Sequence, residues 1–280
     1  MNVCDMPATP EDAGGFEQAA RFVLACSHAT GIDRVYVGSY FCDRAFLMLA
    51  DAHFEALADF AAAYDVAATL VVPIFAQATL AAGSRRVEEL LSSGPCRFDE
   101  VTVNDYATAE QLAPMCRDAG IAMNWGRLLA KQLRDPRHID FACTARTCEI
   151  DAEEAAQLAS RYPLGLIELD PFAPCIDVSP LAGTPFALHA PRSFATTGHI
   201  CEAASAPREL ADSFRADAPC TRECARTFTS CFDDAHGVWF TKHGRSVYFE
   251  NAGCVTCGGQ PARIVYSAAD FSERRAATWA

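Results

Sequence analysis

The chain has 280 residues and a formal net charge of −13, from 36 acidic and 23 basic side chains. This acidic balance argues against a protein that grips nucleic acid through a broad basic face. Apolar residues make up 51% of the chain, enough for a sizeable core in one large α/β domain or two smaller ones. The sequence contains no apolar run of about 18 residues, so it predicts no membrane-spanning helix. The N-terminus does not resemble a secretory signal, and we expect a cytoplasmic protein.

The cysteine content, 14 residues, is high for such a protein. Without an export signal, disulfides are disfavoured, and the cysteines are better explained as metal ligands or buried thiols. Free cysteine is among the most buried residue types. Several cysteines lie in or beside apolar segments and are expected to be core or loop residues: Cys26, Cys96, Cys116, Cys143 and Cys175.

Strand and helix patterns alternate through the first 200 residues. Predicted strands cover residues 33–38, 67–74, 100–103, 120–124, 139–143, 164–169 and 185–189. Predicted helices cover residues 15–27, 46–64, 85–91, 108–118, 127–134 and 151–161. This alternation indicates a parallel sheet, and about seven or eight units favour a barrel over an open sheet. The expected fold class is α/β, a (β/α) barrel-like parallel sheet with a small cysteine-rich C-terminal elaboration.

After Cys224 the pattern changes. Residues 238–249 predict a β-hairpin that turns at Gly244. A glycine-rich turn with Cys254 and Cys257 follows, and the chain ends in a predicted strand and charged helix. The expected division is therefore a barrel-like core over 1–200, with the cysteine loop and C-terminal elaboration over 201–280 packed on the barrel mouth.

One group of cysteines has the spacing of a metal site. Cys220 and Cys224 are four residues apart, which places them on one face of a helical turn. Cys201 precedes them across a long polar loop, and Cys42 follows the first predicted strand of the barrel. Parallel strands end at one rim, so these four thiolates can converge there and hold a tetrahedral zinc ion or a cubane cluster.

A second arrangement uses later cysteines. Cys254 and Cys257 form a CxxC knuckle flanked by glycines, and with Cys220 and Cys224 they would make a zinc ribbon. Local spacing alone does not choose between the two sets of ligands.

Three segments resemble the collagenase-like peptidase family, in its UbiU/UbiV branch of oxygen-independent ubiquinone biosynthesis. They are the strand 35–38 followed by Cys42, the asparagine-ended strand 120–124, and Cys201 with its polar loop and Cys220-x-x-x-Cys224. The resemblance implies a barrel-like fold, a [4Fe–4S] cluster on Cys42, Cys201, Cys220 and Cys224, and a UbiU-like partner subunit in a heterodimer. The Cys254/Cys257 turn departs from the family pattern, which leaves open an exchanged ligand, a second metal or a different substrate.

The resemblance also implies hydroxylation of a small aromatic quinone precursor without dioxygen, with prephenate as the hydroxyl donor. Polar residues at predicted strand ends are the candidates for a catalytic pocket: Asn104, Asp105, Asn124 and Arg192. The first three can instead cap the following helices, whereas Arg192 can pair with a carboxylate. His189 and His199 flank the cysteine loop and are expected to be structural.

Two other functions stay open. An RNA-hydroxylating relative would need a basic patch; basic residues gather toward the C-terminus at Arg222, Arg226, Lys242, Arg245 and Arg263, but the overall charge is acidic. A non-enzymatic zinc-binding accessory protein would use the cysteines only to stabilise a binding surface. Peptidase activity ranks lowest, because the chain has no HExxH motif.

Overall fold

The computed structural model describes residues 2–5, 20–21, 31–132, 135–138, 149–171, 175–205, 208–209, 213–214, 220–221, 223–226, 228–251 and 255–267. The strands in chain order are β1 (Asn2–Asp5), β2 (Arg34–Gly38), β3 (Ala67–Val72), β4 (Glu100–Val103), β5 (Ala122–Trp125), β6 (Leu164–Leu169), β7 (Cys175–Asp177), β8 (Phe186–Ala190), β9 (Arg192–Thr197), β10 (Phe228–Asp233), β11 (Val238–His243), β12 (Ser246–Glu250), β13 (Val255–Cys257) and β14 (Arg263–Ser267). The α-helices are α1 (Asp43–Leu47), α2 (Asp51–Tyr64), α3 (Leu80–Ser93), α4 (Tyr106–Ala119), α5 (Ala152–Arg161) and α6 (Glu202–Ser205). Short 3-10 turns cover Pro136–His138, Ser179–Leu181 and Glu223–Arg226.

Eight parallel strands close into a barrel, which confirms the predicted fold class. Their order around the barrel is β1, β2, β3, β4, β5, β6, β8 and β14, and β14 pairs with β1 to complete the ring. The long helices α2, α3, α4 and α5 alternate with the strands, as parallel connections require. The carboxyl ends of all eight strands therefore meet at one rim, which we call the barrel mouth.

The core has two layers because successive strand residues point to opposite faces of the sheet. On β2, Val35 and Val37 face outward into the main apolar cluster with the helices. Tyr36, between them, packs in a separate interior cluster with Val71 and Leu166. Cys96 and Cys116 lie in the outer cluster, where they are buried as predicted. Cys175 is in β7, while Cys26 and Cys143 lie outside the described residues.

The predicted elements differ from the described part of the structure in two places. Residues 127–129 form a turn and residues 130–132 are irregular, so the predicted helix over 127–134 is wrong for its described part. The predicted strand over 139–143 and most of the predicted helix over 15–27 lie outside the described residues. The ring is closed instead by β1 and β14, and β14 thus belongs to the barrel although its sequence position puts it in the C-terminal elaboration.

An antiparallel sheet lies over the barrel mouth. Its order is β10, β11, β12 and β9, and β9 follows directly from the barrel strand β8. The predicted hairpin is confirmed: β11 and β12 pair from Phe240 with Phe249 to His243 with Ser246, and Gly244 in the turn has φ of +60°. A further pair, β7 with β13, is parallel. Within the described ranges, no helix combines the length and apolarity needed to cross a bilayer.

Candidate functional site

Charged side chains fill the amino-terminal half of the barrel interior. Glu100 of β4 accepts hydrogen bonds from Arg263 of β14 at 2.7 and 2.8 Å and from Asn124 of β5 at 2.7 Å. Arg34 of β2 lies 3.5 Å from the same carboxylate and binds Asp99 at 2.6 Å. Burial raises the pKa of Glu100, but the hydrogen bonds and charges of the arginines outweigh it and lower that pKa overall. A buried charge of this kind is tolerated because it is paired and hydrogen-bonded.

Closer to the mouth, a carboxyl group and an imidazole form a buried pair. His189 Nε2 lies 3.0 Å from Glu168 Oε2, and the other oxygen of Glu168 accepts from Thr102 at 2.7 Å. Tyr40 lies next to this pair, and its ring packs edge-on to that of His189 with the ring centres 5.2 Å apart. Burial raises the pKa of Glu168 to about 7 and lowers the pKa of His189 well below its usual value. Below about pH 7 the pair is therefore a neutral carboxylic acid beside a neutral imidazole.

At the rim itself, Arg127 is held by Asp170 and surrounded by aromatic rings. Its Nε atom lies 3.1 and 3.0 Å from the two oxygens of Asp170, and Nη2 binds the same carboxylate. The guanidinium carbon lies 5.3 Å from the ring centre of Tyr40, 5.5 Å from Phe41 and 5.6 Å from Phe194. Burial alone lowers the pKa of Arg127, but Asp170 more than reverses this. Arg127 therefore keeps its charge inside an aromatic surround.

The four cysteines predicted as ligands are all half-buried, and they lie near enough to one another beside this rim to shift one another's pKa. Cys42 caps α1 immediately beyond β2, and its sulfur accepts from the Ala45 N–H at 3.4 Å. Cys201 precedes α6, whose first N–H groups bond to its sulfur. Cys224 lies in the 3-10 turn Glu223–Arg226, and Cys220 lies before that turn. The prediction that the two cysteines share one helical turn is therefore wrong.

The four thiols shift one another's pKa through hydrogen bonding and charge, which indicates that they are neighbours. A hydrogen bond from Cys224 lowers the pKa of Cys201, and the same bond raises the pKa of Cys224. The charges of Cys42 and Cys220 raise the pKa of Cys224 further. Burial raises the pKa of Cys42, against the positive charge of Arg245. Segments separated by more than 150 residues of sequence thus bring their sulfurs to one place.

The donor set is one of four soft sulfur ligands, the type that suits zinc or an iron–sulfur cluster. The buried guanidinium of Arg245 contributes a positive charge that acts to lower the pKa of both Cys42 and Cys201, against burial, which raises it. Within the described ranges, no group of three or more His, Cys, Asp or Glu side chains is arranged as the ligands of a single metal ion. Of the alternative ligands, Cys254 lies outside the described residues and Cys257 ends β13.

The predicted pocket residues occupy different positions. Asp105 caps α4 and accepts from the Thr108 N–H at 2.8 Å, the capping role that the sequence left open. Asn104 donates to the Val72 carbonyl at 2.9 Å and thereby joins the ends of β3 and β4. Asn124 lies inside the barrel on Glu100 and caps no helix. Arg192 is buried at the start of β9.

The sequence analysis did not select the buried charged and aromatic residues that line the barrel mouth as candidate site residues. Glu168 and Asp170 stand in and directly after the buried strand β6, where an acidic residue among apolar neighbours is a signal of an interior polar contact. Arg127 lay in a segment interpreted as a helix, and Tyr40 and Phe41 in a loop. His189 was expected to be structural, and its contact with Glu168 agrees with a hydrogen-bonded role.

The site must be interpreted from its own residues. No protein-family model matches this chain, and no curated protein matches it in sequence.

Proposed function

We propose that this chain is the iron–sulfur subunit of an oxygen-independent hydroxylase that acts on a small aromatic substrate. In this proposal Cys42, Cys201, Cys220 and Cys224 hold a [4Fe–4S] cluster. The observation that carries it is the meeting of these four half-buried thiols at the mouth of a barrel with a polar interior. A cluster bound there supplies one-electron redox chemistry at thiolate-ligated iron.

The protein's own residues at the mouth fit an aromatic anion. Phe41 and Tyr248 are half-buried, with ring centres 6.1 Å apart, where the antiparallel sheet meets the barrel. Arg127 lies behind Phe41 and presents a permanent positive charge in an apolar setting. Aromatic faces beside a guanidinium favour a planar ring that carries a carboxylate. This chemistry is compatible with an aromatic acceptor and with prephenate as the donor.

The Glu168–His189 pair gives the mouth a group that can hold or accept a proton near neutral pH. Tyr40 connects this pair to the cysteine site, because its ring packs against His189 and it lies two residues before Cys42. In the proposed function, Arg127, Tyr40 and Phe41 orient the substrate. The Glu168–His189 pair accepts a proton from the substrate or donates one to it. A UbiU-like partner subunit remains part of the proposal.

Anaerobic purification of the full chain tests the metal. A brown protein with broad visible absorption and about four irons per chain supports the proposal. A colourless protein with stoichiometric zinc would instead favour the zinc-binding accessory protein. A wild-type chain that takes up neither iron with sulfide nor zinc when each is supplied would overturn both.

Cysteine variants then locate the ligands. Cys42→Ala should abolish the cluster, whereas Cys231→Ala, an exposed cysteine on β10, is the matched control and should leave it intact. Cys257→Ala should also leave it intact. Loss of iron in Cys257→Ala with retention in Cys42→Ala would move the site to the C-terminal knuckle.

A further inference from the structure

The turn between β11 and β12 touches the segments that carry the cysteines. His243 Nε2 lies 3.0 Å from the backbone carbonyl of Cys224. Gly244 lies against the same residue, since a Cβ atom built on it would be 3.7 Å from the Cys224 sulfur. Arg245 donates from Nε to the carbonyl of Phe41 at 2.7 Å and from Nη1 to the carbonyl of His199 at 3.3 Å. This turn, residues 243–245, thus joins three segments that are distant in sequence.

Arg245 is itself fixed by a buried ion pair. Its Nη2 lies 2.7 Å from Oδ1 of Asp43, and the two side chains are only 6% and 2% exposed. Asp43 is held in turn by the Thr79 hydroxyl at 2.5 Å and the Ala76 N–H at 3.1 Å. Burial alone would raise the pKa of Asp43, but the Thr79 hydrogen bond and the charge of Arg245 lower it overall. The guanidinium is therefore anchored to the α1 segment that begins at Cys42.

We propose that Arg245 is the positioning residue of the cysteine site: it holds the Cys42 segment against the Cys201 segment and places a buried positive charge beside their sulfurs. The four cysteines of the site are free thiols, so no disulfide through them joins these segments and their relative position depends on such contacts. The charge also lies near the thiols, because Arg245 binds Asp43, which adjoins Cys42, and the carbonyl of His199, two residues before Cys201. The part of this inference that concerns a bound cluster rests on the proposed function, whereas the positioning part concerns the protein alone.

The geometry explains why arginine stands here and not lysine. The Nε, Nη1 and Nη2 atoms of Arg245 each bind a different acceptor: Phe41, His199 and Asp43. A guanidinium presents donors in a rigid planar fork, whereas an ammonium is a compact point charge that cannot reach three separated acceptors at once. Lysine would therefore keep the charge and lose the bridge.

The first experiment uses the metal-free full chain and a short thiol-to-thiol cross-linker. In the wild type we expect a Cys42–Cys201 cross-link, because Arg245 binds the carbonyls of Phe41 and His199, which precede these cysteines by one and two residues. Arg245→Met and Arg245→Lys should both slow this cross-link about tenfold, since each removes the bridge. Arg161→Met is the control, because Arg161 forms an exposed ion pair with Glu110 and lies on α5. Its cross-linking rate should equal that of the wild type.

The second experiment separates position from charge in the iron-loaded protein. Arg245→Met should shift the midpoint potential of the cluster to a more negative value, because a nearby positive charge favours the reduced form. Arg245→Lys should keep a potential closer to that of the wild type. Asp43→Asn, which loosens the anchor and keeps the arginine, should slow the cross-link if Arg245→Met proves too unstable to study.

The outcomes distinguish the two proposals. If Arg245→Lys and Asp43→Asn cross-link as fast as the wild type, the positioning role is overturned even when the wild type binds a full cluster. If the wild type binds no iron but the cross-link depends on Arg245, the positioning role stands and the proposed function fails. An unchanged potential in a folded, loaded Arg245→Met protein would overturn the electrostatic part.

Discussion

His189 and Glu168 form a buried hydrogen-bonded pair inside the barrel. His189 Nε2 lies 3.0 Å from Glu168 Oε2, and the two residues are 3% and 0% exposed. Burial keeps the carboxyl protonated to about pH 7 and keeps the imidazole neutral, as their shifted pKa values require. The unfolded chain at mildly acidic pH also carries one proton on the two groups, on the histidine instead of the glutamate. The pair therefore adds little pH dependence to stability, although each member alone would add much.

We expect opposite pH profiles when the pair is split. Glu168→Gln leaves His189, whose pKa is lowered from 6.5, so its contribution to stability is present above that pH and lost as pH falls. His189→Gln leaves Glu168, whose pKa is raised from 4.5 to about 7, so its contribution is present below pH 4.5 and lost as pH rises to about 7. Urea unfolding at about pH 5.5 and about pH 7.5 measures both slopes. If the unfolding free energy changed with pH in the same direction in both variants, this interpretation of the pair would be wrong.

Removal of Arg127 should strongly destabilise the barrel mouth. Arg127→Met leaves Asp170 as an uncompensated buried charge, which costs about 3–5 kcal/mol of unfolding free energy. The double variant Arg127→Met/Asp170→Leu should recover much of that loss, because it removes both charges. Urea unfolding at neutral pH gives the three values. Arg161→Met, which breaks an exposed pair, should change stability by less than about 1 kcal/mol. A single variant as stable as this control would contradict the importance of the buried pair.

Glu100 should determine part of the acid sensitivity. Its pKa is lowered from 4.5 by Arg263 and Arg34, so its contribution to stability is present above pH 4.5 and lost as pH falls through its folded value. Glu100→Gln should cost about 3 kcal/mol at neutral pH, because it leaves two buried arginines without this carboxylate. It should also flatten the loss of stability on acidification. Denaturant unfolding measured from neutral pH down to about pH 3 tests both, and an acid limb as steep as that of the wild type would rule out this role.

Two glycines with positive φ should respond differently to alanine. Gly38 has φ of +131°, and a Cβ there would overlap the backbone carbonyl of Val71 on the neighbouring strand. Gly120 has φ of +68° but no atom within 4 Å of a Cβ. Gly120→Ala should therefore cost about 1 kcal/mol from backbone strain alone. Gly38→Ala should cost clearly more and should displace the segment that leads to Cys42. Thermal unfolding of both variants gives the comparison, and equal losses would count against the close approach of β2 and β3.

Local sequence patterns were sufficient for many of the elements. The strands Glu100–Val103 and Leu164–Leu169 begin and end at the predicted residues, because a short apolar run between helices is a local signal. The helix cap at Asp151 and the hairpin turn at Gly244 were also predicted correctly from local sequence. The predicted helix is wrong over residues 127–132, although these residues have a helical pattern in the sequence. A tertiary contact that the pattern does not reveal binds Arg127 to Asp170.

The sequence by itself determined the alternation of strands and helices and the barrel class. The tertiary structure alone decided which buried charges face each other, that β1 and β14 complete the ring, and that Arg245 connects Cys42 to the later cysteines. The physical reason is that periodicity and capping depend on neighbouring residues. By contrast, the contacts of Arg245 and Glu168 join residues that only the closure of eight strands brings within hydrogen-bond distance.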